Sequence, residues 1–282
     1  MSSGLIAQSE HIGDGAVSTG APRKMHAHIV LAHPEPKSFN AHLAEVARGA
    51  LEKDGWSVTA SDLYAMGFDP CERAEHFSPR QNPERFDVQA EQRFASDRGA
   101  LPAPVAAEIA ALDLADLVIL QYPMWWHLPP AMLKGWLDRV LVYGEVYTSK
   151  KRFEHGRWAG KRAMLSLTVG TSPETYAFDG RSGDIDLMLW PVNFSLAYVG
   201  FTVLAPFIAY GVESGLRYSS AEVLEARLCR VADDLAARMH RIDATPVIPF
   251  NRMADWTETG RIKATAPAYS AFMRHREKLD LA

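Results

Sequence analysis

Five short apolar runs alternate along the chain with longer stretches whose apolar positions recur every three or four residues. The runs fall at 26–33, 56–63, 117–120, 161–169 and 201–209, and most are rich in β-branched residues. Runs of this length suit strands covered on both faces. Between the first two runs, Leu43, Val46, Ala47, Ala50 and Leu51 form one helical stripe, and Gly55 suits the position just past the helix end. A short helix is predicted over 105–114. Another over 130–143 points Met132, Leu133, Trp136, Leu137 and Val140 inward. Asp184 suits the cap of a helix that runs through Leu189 and on past a kink at Pro191. A long helix over 221–241 carries Val223, Leu224, Leu228, Val231 and Leu235. Strands alternating with helices predict an α/β fold built on a doubly wound five-stranded parallel sheet, with helices on both faces.

Two segments break the alternation. From 64 to 104 the chain carries five prolines and many charges, which predicts a long insertion after the second strand with one short helix near 83–98. Insertions of this length usually cover something. Beyond 244 the chain turns irregular yet keeps Ile248, Phe250, Met253, Trp256, Tyr269 and Phe272. The chain therefore divides into a tail over 1–24, expected to be flexible, a main domain over 25–243, and an extension over 244–282. That extension is expected to dock on its own domain or on a partner subunit.

Charge excludes some partners. Thirty Lys and Arg stand against 34 Asp and Glu, with no long run of either sign, so nucleic acid is not expected. No apolar run is long enough for stable membrane insertion. Cys71 and Cys229 lack metal-type spacing and suit plain thiols in a reduced, cytoplasmic setting. Glu72, Glu75 and His76 lie on a charged stretch that reads as a solvated face rather than a metal site.

Ligands of open α/β sheets bind at the carboxyl ends of the strands. Three such ends carry candidate chemistry. After the first strand, His33, Ser38, Phe39 and Asn40 lead into a helix N-terminus, a place suited to phosphate. Ser38 or Asn40 equally suits a plain helix cap. No G-x-G-x-x-G or Walker lysine pattern is present. After the third strand come Pro123, Met124, Trp125, Trp126 and His127. Pro123 closes the ladder, and Pro129 and Pro130 pre-set the next helix. The two tryptophans suit a wall for a flat conjugated ligand, or else a core or an interface. After the fourth strand, Thr168, Val169, Gly170 and Thr171, with Tyr176 beyond, offer hydrogen bonds to a polar ring edge. Phosphate loop, aromatic face and hydrogen-bonding edge together are the needs of a flavin. H-E-x-x-H, C-x-x-C and G-x-S-x-G are absent from the sequence.

These motifs, taken in order, resemble the flavodoxin-fold NAD(P)H:quinone oxidoreductases, the DT-diaphorase-like group. The resemblance spans roughly residues 27–211. It rests on Ile29-Val30-Leu31-Ala32-His33 with Ser38-Phe39-Asn40, and on Asp62-Leu63-Tyr64-Ala65-Met66. It continues through Ala115-Asp116-Leu117-Val118-Ile119, Trp126, Lys134-Gly135-Trp136, Gly183-Asp184 and Leu189-Trp190-Pro191. It implies a flavodoxin-like strand order, tightly bound FAD rather than FMN, and NADH or NADPH as hydride donor. It further implies a quinone as acceptor, ping-pong two-electron transfer, and a homodimer with its site at the interface. By matching position, His33, Ser38, Phe39 and Asn40 hold the pyrophosphate region, and Pro123 to His127 line the isoalloxazine. Thr168 to Thr171 bond its edge, and Tyr147 and Tyr176 frame the substrate. The sequence departs from the family in carrying Ser182 at a histidine position and Ser149 at a tyrosine position. Arg181 beside Ser182 is a candidate to stabilise charge on a reduced flavin. The other readings are an azo- or nitroaromatic reductase of the same fold and an ancillary flavoprotein that regulates a membrane transporter.

Overall fold

β1 (His26–Leu31), β2 (Ser57–Asp62), β3 (Leu117–Pro123), β4 (Arg162–Thr168) and β5 (Thr202–Ala209) pair in parallel in the order β2-β1-β3-β4-β5. This arrangement comes from a computed structural model that describes residues 23–213, 219–273 and 275. The expected tail thus lies almost wholly outside the described residues; of it, Arg23 forms an ion pair with Asp116 just before β3.

β3 is buried at all seven positions, as its apolar run predicts, because helices cover both sheet faces. On one face, α3 (Ala103–Leu114), α4 (Ala131–Val140) and α5 (Ile185–Tyr198) pack on Val30, Val118, Leu120, Leu165 and Val203. On the other, α1 (Phe39–Lys53) and α6 (Ala221–His240) pack on Ile29, Ile119, Met164 and Leu204. The alternation of faces along each strand decides which residues meet which helices. Pro206 sits in β5, an edge strand, where its missing N–H is tolerated. The β4–β5 register shifts between Met164 and Ser166, opposite that proline.

The extension continues on the same edge. Ala205 N–H donates to Pro246 O (2.7 Å) and Ile248 N–H to Val203 O (2.8 Å), so Val247 bridges antiparallel to Leu204. Further on, Trp256 stacks on Phe153 and Phe272 on Trp190.

The insertion carries the short helix expected near 83–98, and several of its charged residues are tied down. It forms a single 3-10 turn at Ala74–His76 and then α2 (Val88–Ser96), capped by Asp87. Glu72 and His76 are not a solvated face. Arg139 of α4, 2% exposed, donates to Glu72 Oε1 (3.2 Å) and to Asp69 O (2.7 Å). His76 lies between Asp69 and Glu72, 3.2 Å from each. The buried Glu91 carboxylate gathers Arg80, Gln81 and Asn82. The Arg139 contacts were hidden from the sequence because their partners lie 67 and 70 residues away. Among the described residues no helix is long and apolar enough to cross a membrane.

Candidate functional site

The chain leaves β1 in one direction toward β2 and returns on the other side as β3, so the switch point lies between β1 and β3. The loops leaving β1, β3 and β4 all emerge there.

The loop after β1 ends in α1. Ser38 caps the helix, its Oγ accepting from Ala41 N–H (3.1 Å), while Ser38 N–H donates to Glu35 O (3.0 Å). Helix geometry leaves the first-turn N–H groups without intrahelical partners. Those of Phe39 and Asn40 have no partner among the described residues, so they remain for an anion. Glu35 N–H donates to His33 Nδ1 (3.0 Å). Glu35 O also lies 3.2 Å from His33 Nδ1, so the loop's own backbone occupies that nitrogen and Nε2 is the one left to meet a ligand. The His33 ring lies 6.1 Å from that of Trp125, which ties this loop to the next.

The loop after β3 is a tight turn. Trp125 N–H donates to Leu128 O (3.0 Å) and Leu128 N–H to Trp125 O (3.1 Å). The two residues between, Trp126 and His127, have φ of 51° and 65°. Left-handed backbone at a bulky residue costs roughly 1–3 kcal/mol. Trp126 is 92% exposed, so no burial within the chain offsets this strain. The turn is thus not built for packing within its own chain.

The loop after β4 starts with Thr168 and Val169, both buried. The Thr168 side chain is taken: its Oγ1 accepts from Asn40 Nδ2 (3.0 Å). The Asn40 side chain is likewise committed inside the protein, and only its backbone N–H faces the loop. Gly170 is exposed, and Thr171 Oγ1 is buried without a partner among the described residues. A hollow of about 560 Å³ opens here, lined by Gly170 to Pro173, Arg181, Tyr210, Gly211 and Arg227. Arg227 is held by Gly211 O (2.9 Å) and Ser219 Oγ (2.8 Å). The strand-end rule applies to β5 as well, and reading the end of β5 would have found Tyr210 and Gly211. Tyr176 packs against Tyr210 with rings 6.3 Å apart. Gly180 sits so close to the backbone of Glu174 and Thr175 that a Cβ would not fit, which folds 174–183 back toward this hollow.

Tyr147 stands elsewhere, in a hollow of about 500 Å³ between α4 and α5 that Leu128 and Pro129 connect to the aromatic turn. Its ring meets Tyr143 and Tyr198, and its hydroxyl accepts from Gln89 Nε2 of α2 (3.3 Å). Burial pushes the Tyr147 phenol above its ordinary pKa, and that of Tyr210 likewise.

Unpaired N–H groups at a helix start, an exposed indole and a polar loop, gathered at the switch point of a β2-β1-β3-β4-β5 sheet, define a protein of the flavodoxin type. Comparison with known proteins narrows the class. A family model described as flavodoxin-like fold matches residues 25–233. NAD(P)H dehydrogenase (quinone) 1 of Rattus norvegicus is 40% identical over 70% of this chain and 73% of its own length. Ribosyldihydronicotinamide dehydrogenase (quinone) of Mus musculus is 43% identical over 66% of this chain and 81% of its own. A crystal structure from Klebsiella pneumoniae, described provisionally as a quinone reductase, superposes with a TM-score of 0.76 at 33% identity. It covers 83% of this chain and 92% of that one. The chain belongs to the flavodoxin-fold NAD(P)H:quinone oxidoreductase family.

Proposed function

We propose that the chain is a flavin-dependent dehydrogenase that passes two electrons from NADH or NADPH to a quinone. The observation that carries this reading is the strained Trp125–Leu128 turn, which holds an exposed indole and reaches the loop after β1 through Trp125 and His33. Bound flavin supplies the hydride chemistry; the protein binds, orients and shields.

The N–H groups of Phe39 and Asn40, with His33 Nε2, would hold the pyrophosphate. Pro123, Met124, Trp125, Trp126 and His127 would flank the ring, and the backbone of Thr168 to Thr171 its edge. The hollow at Arg227 has room for an adenosine half, which supports FAD over FMN. Thr171 Oγ1, buried and without a partner among the described residues, is a group such a ligand would satisfy. Arg181 on its rim is proposed to balance negative charge on the reduced cofactor.

Tyr147 and Tyr176 belong to different hollows of one chain. A two-fold dimer would bring the Tyr147 side of one subunit to the Tyr176 side of the other and cover Trp126 and Leu128, both exposed. A sedimentation mass near twice 31.2 kDa is expected. Donor and acceptor would use this interfacial site in turn, which gives ping-pong kinetics. Two exposed free thiols suit a cytoplasmic protein.

The test is to identify the flavin released by heat, then titrate the holoprotein anaerobically with NADH and with NADPH. The yellow protein is expected to bleach and to recover its colour with a benzoquinone. Bound flavin that does not bleach would favour the ancillary flavoprotein. A chain that binds no flavin would overturn the proposal.

A further inference from the structure

We infer that Gln121 is a positioning residue for the phosphate-bearing part of the cofactor, because its amide, through Asn40, sets the first turn of α1 against the ends of β3 and β4. The inference rests on the flavin reading above and deepens it.

Gln121 is fully buried in mid-sheet. Its register partners are Leu31 on β1 and Ser166 on β4, and its carbonyl accepts from Ala32 N–H (3.0 Å) as the chain leaves β1. Two residues after Ile119, it points to the α1 face. There Gln121 Nε2 donates to Asn40 Oδ1 (2.9 Å), and Asn40 Nδ2 donates to Thr168 Oγ1 (3.0 Å). Three elements are thus joined by two hydrogen bonds, and every member is under 5% exposed. Asn40 belongs to the turn whose free N–H groups face the anion pocket. Its carboxamide is therefore the handle by which the sheet sets the height and rotation of that turn.

A merely structural layer would be built otherwise. Gln121 Oε1 and Ser166 Oγ, on facing register positions, have no partners among the described residues. A buried polar atom left unpaired costs about 1–3 kcal/mol, so apolar side chains of equal volume would serve stability better. Rules of packing are broken in this way chiefly where function requires it. What the amides add is direction: hydrogen bonds fix angle and distance, whereas apolar contact is non-directional.

Without Gln121, the first turn of α1 loses its reference, and the phosphate contacts lose alignment. The Trp125–Leu128 turn, which does not depend on these amides, keeps its contact with the ring. Gln121→Met keeps the volume and removes the donor. Gln121→Leu removes the same donor with a branched side chain and serves as the second variant should the first fold poorly.

The experiment measures dissociation constants of FMN and riboflavin for the flavin-free full-length chain by fluorescence quenching, alongside its thermal unfolding. The wild type is expected to favour FMN. In either variant that preference should fall about tenfold, with riboflavin affinity changed less than about twofold. An unchanged ratio, or a parallel loss of both flavins, would overturn the inference while the flavin reading stands. A wild type that binds neither flavin would bring down both.

Discussion

Trp126 shows how one residue can separate folding from function. Its left-handed backbone suits glycine, and its indole touches little of its own chain. Trp126→Gly is therefore expected to leave the stability of the flavin-free chain within about 0.5 kcal/mol or to raise it, since relieved strain offsets added backbone freedom. Flavin affinity should fall at least tenfold; urea unfolding and fluorescence titration check the two halves. His28 makes the opposite case, a group that matters to folding alone. Its ring is 2% exposed and bonded to Thr59 (2.8 Å) and Ser61 (3.2 Å). Burial, aided by the nearby His26, lowers its pKa to about 4 from 6.5. The unfolded chain thus binds more protons between these values. Stability should be full above pH 6.5 and fall by about 3 kcal/mol as pH drops toward 4. Urea unfolding across that range should show the loss, and His28→Gln should flatten it. Trp126 was legible as a candidate because an aromatic pair between prolines is conspicuous. His28 and Gln121 were not, since a lone polar residue in an apolar run does not reveal what lies across the sheet.

Among elements, strands and helices were legible to within a few residues because both sheet faces are covered and the periodicities are clean. The helix expected over 130–143 ends at Val140, where Leu141 leaves helical ψ and Gly144 turns with φ of 94°. What the pattern could not show is how α4 receives the insertion. Gly135 lies mid-helix, where Ala would be favoured by about 1 kcal/mol. Yet a Cβ there would run into the backbone and ring of Pro70. Gly135→Ala is therefore expected to destabilise the protein by about 1–3 kcal/mol, measured by chemical denaturation, with the insertion pushed off α4. The Arg139–Glu72–Asp69 contacts would loosen with it. α1 gives a milder case: Ser38→Ala removes a cap worth about 1 kcal/mol. The same change alters the loop at the anion pocket, so stability and FMN affinity should fall together.

On the scale of the whole molecule, the candidate site belongs to the sheet rather than to any one segment. His33, Trp125, Thr171 and Tyr210 come from four loops, and strand order alone brings them to one edge of the fold. For the first three of these loops this much followed from alternation and breaker residues; the loop after β5 was missed. The place of the extension did not follow either, because irregular chain has no period to read. The run at 246–248 lays a short antiparallel bridge along β5, which is otherwise the last strand on that side. An uncovered edge strand invites pairing with a neighbouring molecule. The segment that matches the family stops at residue 233, so a chain cut there would keep every site residue named above yet expose that edge. Such a piece is expected to form particles that grow with concentration in light scattering, while one ending beyond Ile248 stays monodisperse. The smallest portion of this protein that can be handled in solution is thus longer than the portion that carries its chemistry.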